Sequence, residues 1–124
     1  MYPAQSDLQL YRGDYFEMLL RLREGDWING AYEPGAYMNL EGWTGRAEIR
    51  ATADAPTALA TFTVEILDQG SAETIGGVHL YLDTADTADL QVAAAVWDFQ
   101  LTDTAARVHT YLRGKVTIEK DVTR

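Results

Sequence analysis

The 124-residue chain contains no cysteine. Disulfides and cysteine-ligated metals are thereby excluded, and stability has to come from packing. Long apolar runs are also missing; none approaches the roughly 20 residues that span a bilayer as a helix. Positive charge is scarce, with 10 Lys and Arg against 19 Asp and Glu and a formal net charge of −9. Binding to a phosphate backbone needs cations clustered on one face. The ten here are scattered along the chain, so no nucleic-acid partner is expected. The acidic balance favours solubility and repels anionic membranes, so no membrane partner is expected either. The opening MYPAQSD lacks a basic stretch followed by an apolar one, which predicts synthesis in the cytoplasm without a cleaved leader.

What is present is strand patterning. Hydrophobic residues make up 47% of the chain and charged ones 23%, the balance of one globular domain with a two-layer core. From Tyr15 to Arg23, Phe16, Met18, Leu20 and Leu22 fall on one side and Glu17, Arg21 and Arg23 on the other. That period of two marks a half-buried strand. Thr44–Arg50 repeats it, with Ala47 and Ile49 inward. Further strands are expected at Leu8–Tyr11, Leu59–Leu67, Val78–Leu82, Ala94–Thr102 and Val108–Glu119. In the last of these, Val108, Thr110, Leu112, Gly114, Val116 and Ile118 share one side. Gly114 in mid-strand signals a bulge or a close backbone approach. Trp97 is the expected centre of the core. About seven strands and no long helical period predict an all-β fold, an antiparallel immunoglobulin-like β-sandwich.

The domain is expected to span residues 8–124, preceded by a polar arm, residues 1–7, whose order depends on a neighbour. Arg12-Gly13-Asp14 has the form of an integrin-binding tripeptide. The simpler reading is a turn, with glycine supplying the conformation and Asp14 capping nearby backbone. Residues 24–41 form a long loop rich in aromatics, with turn dipeptides Asn29-Gly30 and Pro34-Gly35. A small hairpin can form there, pairing Trp27-Ile28 with Ala31-Tyr32. Two readings stand for this loop: an interface carrying hot-spot residue types, or a lid over the open end of the core.

Asp83 to Leu90 breaks the strand rhythm and predicts a capped helical turn with Leu90 tucked beneath it. Asp83, Asp86 and Asp89 recur every third residue. Calcium loops need ligands at alternate positions, a central glycine and a terminal glutamate, so no metal is expected. The two histidines, His79 and His109, have no GxSxG serine near them. No phosphate-cradling glycine loop occurs. The residues therefore give no catalytic set, cofactor site or small-molecule substrate site.

Five stretches in order carry a resemblance: YRGDYFEMLLRL, NLEGWTGRAEIR, GGVHLYLDTADTADL, VWDFQLTD and LRGKVTIEKDVTR. Together they resemble the N-terminal domain of BppU-type baseplate upper proteins and related minor tail proteins of tailed bacteriophages. Asp86, Thr87 and Leu90 fit one motif of that family, Trp97 to Leu101 a second, and Gly114 a closing glycine. The chain departs from the pattern in the Trp27–Met38 insertion and in Ala93-Ala94, which stand where a glycine is usual. The resemblance implies a non-enzymatic virion structural protein, made in the host cytoplasm and bound to other virion proteins or to copies of itself. Tail or baseplate is the first expected position and capsid decoration the second. A carbohydrate- or host-surface-binding sandwich is the alternative. Candidate interface residues are Tyr2, Trp27, Ile28, Tyr32, Tyr37 and Met38.

Overall fold

The computed structural model describes the backbone of residues 4–28 and 31–120, and their side chains except those of 25–28 and 31–34. Two sheets enclose the core. The larger is ordered β1 (Ala4–Gln5), β11 (Val108–Glu119), β10 (Ala94–Thr102), β6 (Thr44–Arg50) and β7 (Ala60–Thr61), with β2 (Leu8–Tyr11) also on β11. The smaller is ordered β3 (Phe16–Arg21), β9 (Gly77–Leu82) and β8 (Thr63–Ile66). β4 (Arg23–Ile28) and β5 (Ala31–Tyr37) form a two-stranded sheet of their own, and one short helix, α1 (Thr84–Ala88), follows β9. The architecture is the all-β sandwich that the alternation predicts.

The described residues hold eleven strand segments where about seven were expected. The arm adds β1, and the aromatic loop adds β4 and β5. The Leu59–Leu67 strand is split at Phe62, whose N–H donates to the Ala47 carbonyl at 2.9 Å. On one side of that residue the chain pairs with β6, and on the other with β9. Phe62 is thus the corner at which one strand changes sheets, with its ring buried between them.

Alternation decides the core. Phe99, Leu101, Ile49, Leu80 and Leu82 are completely enclosed, and Trp97 is 3% exposed. Phe99 and Leu101, rather than Trp97, are the fully enclosed residues of β10, because Trp97 lies toward the N-terminal segment. Its indole N–H donates to the Ser6 carbonyl at 2.7 Å.

The last strand departs from simple alternation. Phe99 faces Leu112, but the next residue, Gln100, faces Thr110, leaving Tyr111 as an extra residue in β11. This bulge reverses the faces ahead of it. His109 is opposite the inward Leu101, while Val108 turns out to solvent at 60% exposure, contrary to its expected place in the core. Tyr111 packs on Phe99 with ring centroids 6.5 Å apart.

Gly114 confirms the expected close approach. A Cβ there would sit 2.0 Å from the Ser6 carbonyl oxygen. The N-terminal segment lies against it: β1 and β2 both run parallel to β11, and Asp7 Oδ1 accepts the Lys115 N–H at 2.9 Å. Residues 4–7 of the expected arm are therefore docked on their own chain, covering an edge of the larger sheet.

Candidate functional site

Three regions gather functional residue types. The first is the β4–β5 hairpin. Its register pairs Trp27 with Tyr32 and Ile28 with Ala31, the pairing expected from sequence. Asn29, Gly30 and Tyr2 lie outside the described residues, as do the side chains of Trp27, Ile28 and Tyr32. At the hairpin base, the Arg21 guanidinium sits over the Tyr37 ring, 3.6 Å from its centroid, and that of Arg23 lies 5.0 Å from it. Tyr37 is exposed, whereas Met38 packs against the core and its N–H donates to the Leu22 carbonyl at 2.9 Å. The structure thus separates two of the candidate interface residues: Met38 anchors the hairpin and Tyr37 is presented with a cation stacked on it.

The second region is a groove of about 560 Å³ on the outer face of β6, β10 and β11. The register builds it in rows, since residues opposite one another share a face. Glu48, Asp98 and Arg113 form one row; Arg50, Val96 and Lys115 form the next. Arg46 and Gln100 extend it. Glu48 bridges two cations, at 3.3 Å from Arg46 and 3.2 Å from Arg50. Arg50 is further fixed by donating to the Ala55 carbonyl at 2.7 Å. Among the described residues, Arg113 and Lys115 make no ion pair. Burial, reinforced by the Glu48 carboxylate and opposed by Arg50, raises the Asp98 carboxyl above its ordinary value.

Four cations therefore converge where a scattered distribution was expected. The signal in the sequence was segregation: no Lys or Arg occurs between Arg50 and Arg107. Strand pairing then sets β6 and β11 on either side of β10, bringing together cations that are far apart along the chain.

The third region is the outer face of the smaller sheet. His79 Nε2 lies 2.7 Å from a Glu17 oxygen that also accepts the Tyr15 hydroxyl at 3.2 Å. Tyr81 packs between Tyr15 and His79, with centroids 6.0 and 5.1 Å away, and Leu19 beside them is 69% exposed.

Two further clusters explain polar residues structurally. Asp103, buried at the β10–β11 turn, accepts the backbone N–H groups of Ala105 and Arg107 at 2.9 and 3.0 Å and Arg107 Nε at 2.9 Å. His109 Nε2 lies 3.1 Å from the same carboxylate, and its ring stacks on Trp43. The hydrogen bond with His109, followed by those from the turn, holds the Asp103 carboxyl well below the usual carboxylate range. A depressed pKa means that this carboxylate stabilises the fold above its unfolded value, near 3.9, and ceases to do so as pH falls through the folded value. Asp103→Asn should accordingly lower the melting temperature at neutral pH, with the gap from wild type closing as pH drops below about 4. A gap that is constant across acid titration would assign the effect to geometry alone.

The Arg12-Gly13-Asp14 turn is the other cluster. Gly13 has φ of 90°, which a glycine takes without cost, and Asp14 N–H donates to the Tyr11 carbonyl. The Asp14 contribution is through backbone rather than the expected side-chain cap, since its carbonyl accepts the Thr87 hydroxyl at 2.7 Å. Arg12 Nε donates to the Leu90 carbonyl at 2.5 Å. The tripeptide is thus bound to α1 and the residue segment that follows it.

No protein-family model matches the chain, and no curated protein sequence is similar to it. Among solved structures, CopC from Methylosinus trichosporium OB3b is similar at 13% identity, with a TM-score of 0.44, covering 95% of this chain and 88% of that one.

Proposed function

We propose that the chain is a non-enzymatic structural component of a tailed-bacteriophage virion, assembled through protein–protein contacts in the tail or baseplate. The β4–β5 hairpin is the observation that supports this best. It belongs to neither sheet of the sandwich and joins the domain at the Leu22–Met38 hydrogen bond. A lone two-stranded hairpin is marginal in water, and a partner surface is the natural source of further stability. Trp27, Tyr32 and Tyr37 are residue types that dominate interface energetics. Other virion proteins or further copies of the chain are the proposed partners, and capsid decoration is the same reading at another position in the particle.

Replacing Trp27 and Tyr32 together by serine tests this. The expected result is a melting temperature close to wild type together with loss of incorporation into particles, read by mass spectrometry of purified virions. Absence of the wild-type protein from virions would sink the proposal. Unfolding of the double variant would make the hairpin a lid on the core.

A carbohydrate- or host-surface-binding role is the second reading, favoured by the exposed Tyr15 ring packed on Tyr81. Aromatic faces of this kind stack on sugar rings. Reproducible glycan-array binding that is abolished by Tyr15→Ala or Trp27→Ala would promote it over assembly.

A further inference from the structure

We propose that the groove on the outer face of β6, β10 and β11 receives the acidic α1 turn of a second copy of this chain, joining copies head to tail. The segment between Arg50 and Arg107 contains nine Asp and Glu and no Lys or Arg. It supplies β7, β8, β9, α1 and β10. Apart from Asp98 in the groove and Asp103 beside Arg107, it contributes seven carboxylates and no cation, and Arg12 and Arg21 reach it only through backbone carbonyls.

The groove has the opposite balance. Four of the chain's ten cations line it, Arg46, Arg50, Arg113 and Lys115, with two of its nineteen carboxylates, Glu48 and Asp98. Six cations and seventeen carboxylates remain elsewhere, a balance of −11 against +2 in the groove. Within the groove, Glu48 is already engaged by Arg46 and Arg50. Arg113 and Lys115 make no ion pair among the described residues, and Asp98 repels an incoming acid from the middle row. An acidic guest is thus directed to the β11 side, where the Asp7 carboxylate beside Lys115 is already held by the Lys115 backbone N–H and the Gln5 amide.

The α1 turn fits that demand. Asp83 and Asp89 are exposed at its two ends, while Asp86 is held by accepting the Asp83 N–H at 3.0 Å. The turn is short, and the groove volume suits a few residues rather than an extended chain. A two-fold pairing through the groove would set like charges against each other. The groove and α1 are different surfaces, so the contact is heterologous, and repetition gives a ring or a filament. This deepens the assembly reading but uses none of the hairpin. Self-association retained by the Trp27→Ser/Tyr32→Ser variant would therefore keep the groove contact even if the hairpin fails as an interface.

Sedimentation velocity of the full chain tests the proposal in two steps. Wild type should self-associate at about 10 mM salt and dissociate near 0.5 M, because exposed charge pairs are screened over that range. Arg113→Gln/Lys115→Gln and Asp83→Asn/Asp89→Asn should each weaken association at least about tenfold. Both replace exposed side chains, and asparagine preserves a helix N-cap, so thermal melts should show intact folds. Mixed together, the two variants retain one good interface between them: the intact groove of one and the intact turn of the other. They should form a 1:1 complex that does not grow. A monomeric wild type at low salt would overturn the proposal. So would association insensitive to either variant, or a mixture that stays monomeric.

Discussion

Trp97→Ala should lower stability by about 3–5 kcal/mol, the usual cost of truncating a large buried aromatic. That is a large share of the roughly 5–15 kcal/mol that holds a domain of this size folded. The indole fills the space beside Phe62, with ring centroids 5.8 Å apart, and lies opposite Ile49 on β6 and Gly114 on β10's other neighbour. It also has a polar task. Its N–H holds the Ser6 carbonyl, which sits directly over Gly114. Alanine would leave a cavity and release a backbone acceptor in the segment that covers the edge of β11. Trp97→Phe largely separates the two terms: it keeps most of the apolar volume and removes the hydrogen bond, with a smaller loss of packing from the missing ring. Its cost should be nearer 1–2 kcal/mol, with proteolytic cutting near Ser6 increased more than the melt alone suggests. A Trp97→Ala protein melting like wild type would refute the inward register of β10.

That register was legible because one face of each strand is buried and the period is two, so a slip by one residue would expose the whole apolar set. The inward residues of β3, β6, β9 and β10 follow from alternation alone, and the close approach at Gly114 follows from a glycine placed in mid-strand. Alternation fails at Tyr111. A bulge inserts one residue, and nothing in the composition of VHTYLRG distinguishes a bulged strand from a regular one. Phe62 fails for a related reason. A single apolar period runs through it, and the change of sheet depends on which partner strand each half meets. The parallel pairing of β1 and β2 with β11 was equally hidden, since it joins the two ends of the chain.

The groove shows the same limit for function. Spacing along the chain reveals that cations are absent from the middle, but only strand order shows that β6 and β11 flank β10. Local motifs were easier to read and mostly structural. The glycine of the Arg12-Gly13-Asp14 turn and the threonine of Asp86-Thr87 both stand in the bacteriophage resemblance, and in the fold they touch.

Thr87→Val should cost about 2–4 kcal/mol, because valine keeps the shape of the side chain and deletes its hydroxyl. Thr87 is completely buried. Its Oγ1 accepts the Gly13 N–H at 3.1 Å and donates to the Asp14 carbonyl at 2.7 Å, tying the β2–β3 turn to α1. Among the described residues no buried side-chain nitrogen or oxygen lacks a partner, so the native site is fully satisfied. Valine would orphan one donor and one acceptor at once, each worth about 1–3 kcal/mol when it is cut off from water. Arg12 should feel the change as well, since its bond to the Leu90 carbonyl depends on the same turn staying against the helix. Thr87→Ser is the control: it keeps the hydroxyl and removes one methyl, for a loss near 1 kcal/mol. Urea denaturation of the three proteins reads the difference directly, with hydrogen exchange at the Gly13 amide as the local probe. Fast exchange at Gly13 in the valine variant, and not in the serine variant, is the expected signature. Equal stability of Thr87→Val and wild type would mean that water replaces the hydroxyl, and that the turn is held to the domain by Arg12 alone.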